Sequence, residues 1–125
     1  MIGKIYKART PYYEAKTNSN KFKSRPALVI AKADMEDYVV LPVSTISHKD
    51  KIHPVYDIEI NPEIYPKTNL KKISYIRTHK QTIIHRAELN GVICDLKTEY
   101  EDVYLEVLDK REQFSSEITK QALDK

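Results

Sequence analysis

Three side chains in this sequence are suited by type and position to chemistry on a phosphodiester. Arg25 opens the apolar run Arg25-Pro26-Ala27-Leu28-Val29-Ile30-Ala31, and Ser44-Thr45 closes a second run, Tyr38-Val39-Val40-Leu41-Pro42-Val43. A guanidinium is a fixed cation whose planar fork grips phosphate oxygens. Hydroxyls can donate to the same oxygens. Arg25 and Ser44 are therefore the candidate reactive pair, with Thr45 and Lys23 as candidate phosphate contacts. The ordinary alternatives are a surface ion-pair partner for the arginine and turn-capping hydroxyls at a strand end.

The pair acts together only if the two runs are neighbours. Each is short, apolar and rich in β-branched residues, the pattern of a buried strand. Six residues, Lys32 to Asp37, separate them, so an antiparallel hairpin is expected. Such a hairpin sets the start of the first strand beside the end of the second, bringing Arg25 to Ser44 and Thr45. Pro26 holds Arg25 extended, and Pro42 demands an edge or a bulge in its strand.

The other histidines, tyrosines and cations are arranged around this pair. His48, His53, His79 and His85 could act as acid or base near neutral pH. His48 follows Ser44-Thr45 closely enough to reach the same groove and is the reserve base, although a solvated loop histidine is the more ordinary reading. None of the four has the spacing of a metal motif, and Cys94 is isolated, so neither metal nor cofactor is expected. Cys94 reads as a small core residue. Tyr12 and Tyr13 stand in a basic segment where they could stack on bases.

Charge is polarised. The net charge is +3, but residues 1–25 carry seven basic residues and one acid, while residues 91–125 carry five and nine. A second acid-free basic stretch runs from Lys67 through Lys71, Lys72 and Arg77 to Lys80. Clustered cations attract polyanions. With 125 residues, 41% hydrophobic and 31% charged, one domain with one core is expected, and no run approaches a membrane span. The N-terminus lacks a secretory apolar region, and a cytoplasmic protein without a membrane partner is expected.

Further strands are expected at Gly3–Arg9, Val55–Ile60, Leu70–Thr78 and Ile83–His85. Thr10–Ser24 reads as a long polar loop and Gly91 as a turn. A helix is expected over about residues 99–112, with Thr98 and Glu101 as a capping box. Tyr100, Val103, Tyr104, Val107 and Leu108 form its buried face, Lys110 and Arg111 its last turn, and a tail follows to residue 125. Many short strands (a barrel over about 1–95) followed by one helix indicate a mostly β or α+β open barrel.

At these residues the chain resembles the MazF/PemK/Kid family of toxin endoribonucleases. The carriers are Gly3-Lys4-Ile5-Tyr6, Lys23-Ser24-Arg25-Pro26-Ala27-Leu28-Val29-Ile30, Val40-Leu41-Pro42-Val43-Ser44-Thr45 and Ile76-Arg77-Thr78, in the family's order over roughly residues 1–110. The resemblance implies an SH3-like open β-barrel of the MazF/PemK/CcdB type with a C-terminal helix, usually a homodimer. It implies cleavage of single-stranded RNA without metal, and an antitoxin whose acidic, flexible segment covers the RNA groove. Arg25 matches the family's catalytic arginine, Ser44 its catalytic hydroxyl position, and Arg77 a basic residue lining the groove. Some members carry an acidic residue just before the arginine-threonine pair. Ser74 and Tyr75 stand there in this chain, so no carboxylate base is assigned. Gyrase-poisoning toxins use a similar barrel, but their aromatic C-terminal end is absent here. A CcdB-like topoisomerase-binding toxin and a barrel that binds RNA without cutting it are the alternative readings.

Overall fold

A computed structural model of the chain describes residues 1–124; Lys125, the end of the expected tail, lies outside the described residues. Seven strands form it: β1 (Lys4–Glu14), β2 (Ser19–Asp34), β3 (Asp37–Ser44), β4 (Asp57–Ile60), β5 (Ser74–Arg77), β6 (Thr82–His85) and β7 (Leu89–Asp95). Two helices follow, α1 (Leu96–Glu99) and α2 (Glu101–Leu123). The strands pair antiparallel in the order β4-β5-β3-β2-β1-β7, with β6 on a separate stretch of β3. The result is a mostly β chain with a C-terminal helix, curled as a half-barrel.

Alternation along β2 explains how one strand serves two cores. Leu28 faces the larger cluster, with Ile5, Leu41, Val43, Ile76 and the α2 residues Val103, Tyr104 and Val107. Ala27 and Val29 face the other way, against Tyr6, Ala8, Val40 and Ile84. An apolar run with both faces covered needs no polar phase, which is why it reads as unbroken hydrophobicity. Each large aliphatic side chain fully buried here contributes about 1.5–3 kcal/mol.

The proline in β3 is accommodated as its chemistry requires. β3 pairs with β6 up to Val40↔Thr82 and with β5 from Val43↔Ile76, so Pro42 falls in the gap between the two partners.

Several expectations are corrected. The segment Thr10–Ser24 is not a loop: β1 and β2 stay paired out to Glu14↔Ser19. Cross-strand contacts sustain this arm, with the Arg9 guanidinium 4.0 Å from the Phe22 ring centroid. Asn18 takes the left-handed conformation at its tip, φ +50°, which asparagine tolerates. The connection between β2 and β3 shrinks to Met35-Glu36. Gly91 is not a turn; it sits inside β7 at φ +72°, where the register against β1 slips, the conformation and place of a bulge. Finally, Thr98 and Glu101 do not form a capping box. The Asp95 carboxylate accepts from the Thr98 amide at 3.1 Å, and α2 starts after a break at Tyr100 without a side-chain cap.

The helix also runs beyond residue 112, to Leu123. Its apolar line resumes at Phe114, whose ring meets Tyr56 edge-on at 5.0 Å. Lys110 and Arg111 are therefore mid-helix, and Arg111 Nε donates to Gln81 Oε1 at 2.9 Å.

Candidate functional site

The outermost β2–β3 pair is Ala27↔Pro42, and continuing that phase two residues outward sets Arg25 opposite Ser44. On its other side Arg25 pairs with Ala8, whose small side chain is fully buried. Among the described residues the exposed Arg25 guanidinium engages no acceptor, and the Ser44 hydroxyl has no side-chain partner. A cation held on β2 just beyond its pairing with β3, with no acceptor among the described residues, is available to an anion from outside.

Two cavities meet at this pair, sharing Arg25, Pro26, Val43 and Ser44. One, of about 510 Å³, is polar and adds Lys23, Ser24, Thr45 and Ser74. The other, of about 270 Å³, is mostly apolar and adds Tyr12, Val40, Pro42 and Ile84 with the hydroxyls of Thr10 and Thr82. The Lys23 ammonium, which lines the polar cavity, stands 5.2 Å from the ring centroid of Tyr12, which lines the apolar one. Phosphate suits the polar half and an apolar ring the other. Neither lining contains an Asp, Glu or His.

The structure thus brings together Arg25, Ser44, Lys23, Thr45 and Tyr12. The remaining three candidate residues lie elsewhere. His48 is exposed and lines neither cavity. Tyr13 is exposed, and its hydroxyl donates to the Asn18 side-chain oxygen. Arg77 donates to the Asp57 carboxylate at 3.1 and 3.4 Å and to the Lys51 carbonyl at 3.3 Å. Of the two positions that lack a carboxylate, Ser74 lines the polar cavity, and Tyr75 donates to Glu59 Oε1 at 3.3 Å.

A buried polar cluster around Asp57 was not legible in the sequence. The Asp57 side chain is fully buried, accepting from Arg77 and from the His53 amide at 2.8 Å. His53 Nδ1 accepts from the Val55 and Tyr56 amides, each at 3.1 Å. His79 packs 5.0 Å from the His53 ring, and its buried Nδ1 has no hydrogen-bond partner among the described residues. That nitrogen lies 3.8 Å from Asp57, too far for a hydrogen bond. Burial is the main cause that lowers the His79 pKa, partly opposed by Asp57. The alternation Ile58, Ile60 points Asp57 outward by sequence; only the β4–β5 register, Asp57↔Arg77, covers it. Cys94 is buried as expected, its thiol pushed up to about 11 mainly by desolvation, which makes it a poor nucleophile. Among the described residues no group of three or more His, Cys, Asp or Glu is placed to hold a metal ion. Among the described residues no helix is long and apolar enough to cross a membrane.

A sequence profile of PemK-like, MazF-like toxins of type II toxin-antitoxin systems matches residues 2–110. The chain belongs to that family. Among solved structures, the Mycobacterium tuberculosis toxin MazF-mt6 is similar over 90% of this chain and 96% of that one, with a TM-score of 0.64 and 13% identity. At that identity the likeness establishes the MazF-type fold. Comparison with curated proteins finds no significant match. For a PemK-like toxin, membership of a type II system implies an antitoxin partner and usually a dimer. The match ends within α2, before Phe114, so the last turns of the helix lie outside the shared PemK/MazF region.

Proposed function

We propose that this chain is a metal-independent endoribonuclease that cleaves single-stranded RNA, with Arg25 and Ser44 at the scissile phosphate. The observation that carries the reading is the unengaged Arg25 guanidinium opposite Ser44, at the junction of the two cavities. RNA supplies its own nucleophile. The 2′-oxygen forms the new bond to phosphorus as the bond to the 5′-oxygen breaks; one proton leaves the 2′-hydroxyl and one reaches the departing oxygen. The products are a 2′,3′-cyclic phosphate and a 5′-hydroxyl. Arg25 stabilises the charge that builds on the phosphorane and donates toward the leaving oxygen. Ser44 and Thr45 orient the phosphate, and Lys23 holds its neighbour. A preorganised donor of this kind is worth about 3–4 kcal/mol, or roughly 10²–10³ in rate. The protein acts in the cytoplasm as a homodimer, and an acidic, flexible antitoxin segment neutralises the same basic cleft.

The second reading, an RNA-binding barrel that does not cut, is favoured by one observation: no Asp, Glu or His lines either cavity to take the 2′ proton. Incubation of a long unstructured RNA with wild type and Arg25→Ala, in EDTA, separates the two. Cutting by the wild type alone, with cyclic-phosphate ends, supports the nuclease. Binding without cutting by either protein supports the second reading.

A further inference from the structure

The apolar cavity beside Arg25 has a use that phosphate chemistry does not explain. A phosphate needs the polar half of the cleft; it gains nothing from Tyr12, Val40, Pro42 and Ile84. The alternation of β1 and β2 sets Thr10 and Tyr12 on one sheet face with Lys21, Lys23 and Arg25, and β6 brings Thr82 and Ile84 to the same face through its pairing with β3. The cavity therefore has an aromatic wall at Tyr12, an aliphatic floor and a hydroxyl on two sides.

Its size is selective. About 270 Å³ lies just below the roughly 300–1,000 Å³ of pockets that take drug-sized ligands, which suits one planar ring system. The hydroxyls differ in how free they are. Thr10 Oγ1 already donates to the Lys23 carbonyl at 3.3 Å. The Thr82 hydroxyl has no partner among the described residues, so it can donate to or accept from a ligand edge.

Resting on the nuclease reading of this cleft, we infer that the cavity seats the nucleobase adjoining the phosphate held by Arg25, with Tyr12 stacking on it and Thr82 reading its edge. Stacking is tolerant of base identity; a single hydrogen bond to a base edge is not. Tyr12 then supplies affinity for any base, and Thr82 supplies preference at one position of the cleavage sequence. One net hydrogen bond corresponds to about tenfold in discrimination.

The test uses RNA randomised in sequence, with the cut ends and the uncut bound pool both sequenced, for wild type, Thr82→Val and Tyr12→Leu. Thr82→Val keeps the shape and β-branching of threonine and suits a strand. The expected result is a loss of about tenfold in base preference at a single position next to the cut, with the other positions unchanged. Tyr12→Leu is expected to weaken all sequences alike. If the wild type cuts and Thr82→Val leaves every preference intact, the base-reading inference is overturned while the nuclease stands. If RNA is bound but not cut, a base enrichment that Thr82→Val erases supports the pocket while cleavage fails. RNA neither cut nor bound overturns both.

Discussion

Arg77 Nε donates to Asp57 Oδ1 at 3.1 Å, between residues that are direct register partners on β5 and β4. The carboxylate is fully buried, and the arginine side chain is 23% exposed. This pairing ties the arginine of the Ile76-Arg77-Thr78 motif to the half-barrel rather than to the cleft at Arg25. Removing one partner of a buried ion pair leaves an uncompensated charge, at a cost of about 3 kcal/mol. Arg77→Met is accordingly expected to lower the free energy of unfolding in urea by about that amount, and Asp57→Asn with Arg77→Gln to recover part of it. An Arg77→Met protein of unchanged stability but reduced RNA affinity would return Arg77 to the groove.

His79 sets a pH dependence of stability. Its folded pKa lies below the ordinary 6.5, with burial as the leading cause and Arg77, His53 and Lys80 adding to it against Asp57. The unfolded chain therefore binds the proton more readily than the folded one. Its contribution is fully present above pH 6.5 and is lost as pH falls from there through the lowered folded value. Urea midpoints taken across that range should decline toward acid, and His79→Gln should flatten the decline. A slope unaltered by this substitution would assign the acid sensitivity to other groups.

Gly3 cannot carry a side chain. Its φ is +91°, and a Cβ there would stand 2.6 Å from the Lys97 Cβ. The contact is fixed by backbone, since Gly3 donates to the Val29 carbonyl at 2.8 Å and accepts from the Lys97 amide at 3.1 Å. Gly3→Ala is expected to cost about 1–3 kcal/mol through the strained conformation alone, with more from the clash. Gly91→Ala meets open space, and should cost less. Thermal unfolding of the two variants side by side checks the order.

RNA binding to the proposed cleft should weaken steeply with salt, because phosphate contacts release counterions. Lys23→Gln is expected to reduce the slope of log affinity against log salt by about one and to weaken all sequences together. Titrations of a short uncleavable RNA at several ionic strengths measure both. An affinity indifferent to salt would remove the basic cleft from the account.

How much of this was legible before folding differs from residue to residue. The two apolar runs, their short separation and the placement of Arg25 before Pro26 follow from residue type and period, which are local properties. Hence the β2–β3 hairpin and the Arg25–Ser44 neighbourhood could be read directly, as could the helix face of Val103, Tyr104 and Val107. The arm of β1 and β2 could not be: most of its residues are polar, and what makes them strands is contact with each other, as in Arg9 on Phe22 and Lys23 on Tyr12. The capping pattern at Thr98 was outcompeted by Asp95, three residues upstream, once β7 ended there.

The sequence by itself determined which segments are apolar and where the chain must turn from strands to a helix, because these depend on neighbours in the chain. Only the tertiary structure decided that Arg77 is bound by Asp57 while Arg25 stays unengaged. Two arginines in similar β-type surroundings differ because one pairs across the sheet with a buried carboxylate and the other with Ala8, and cross-strand register is a property of the whole sheet.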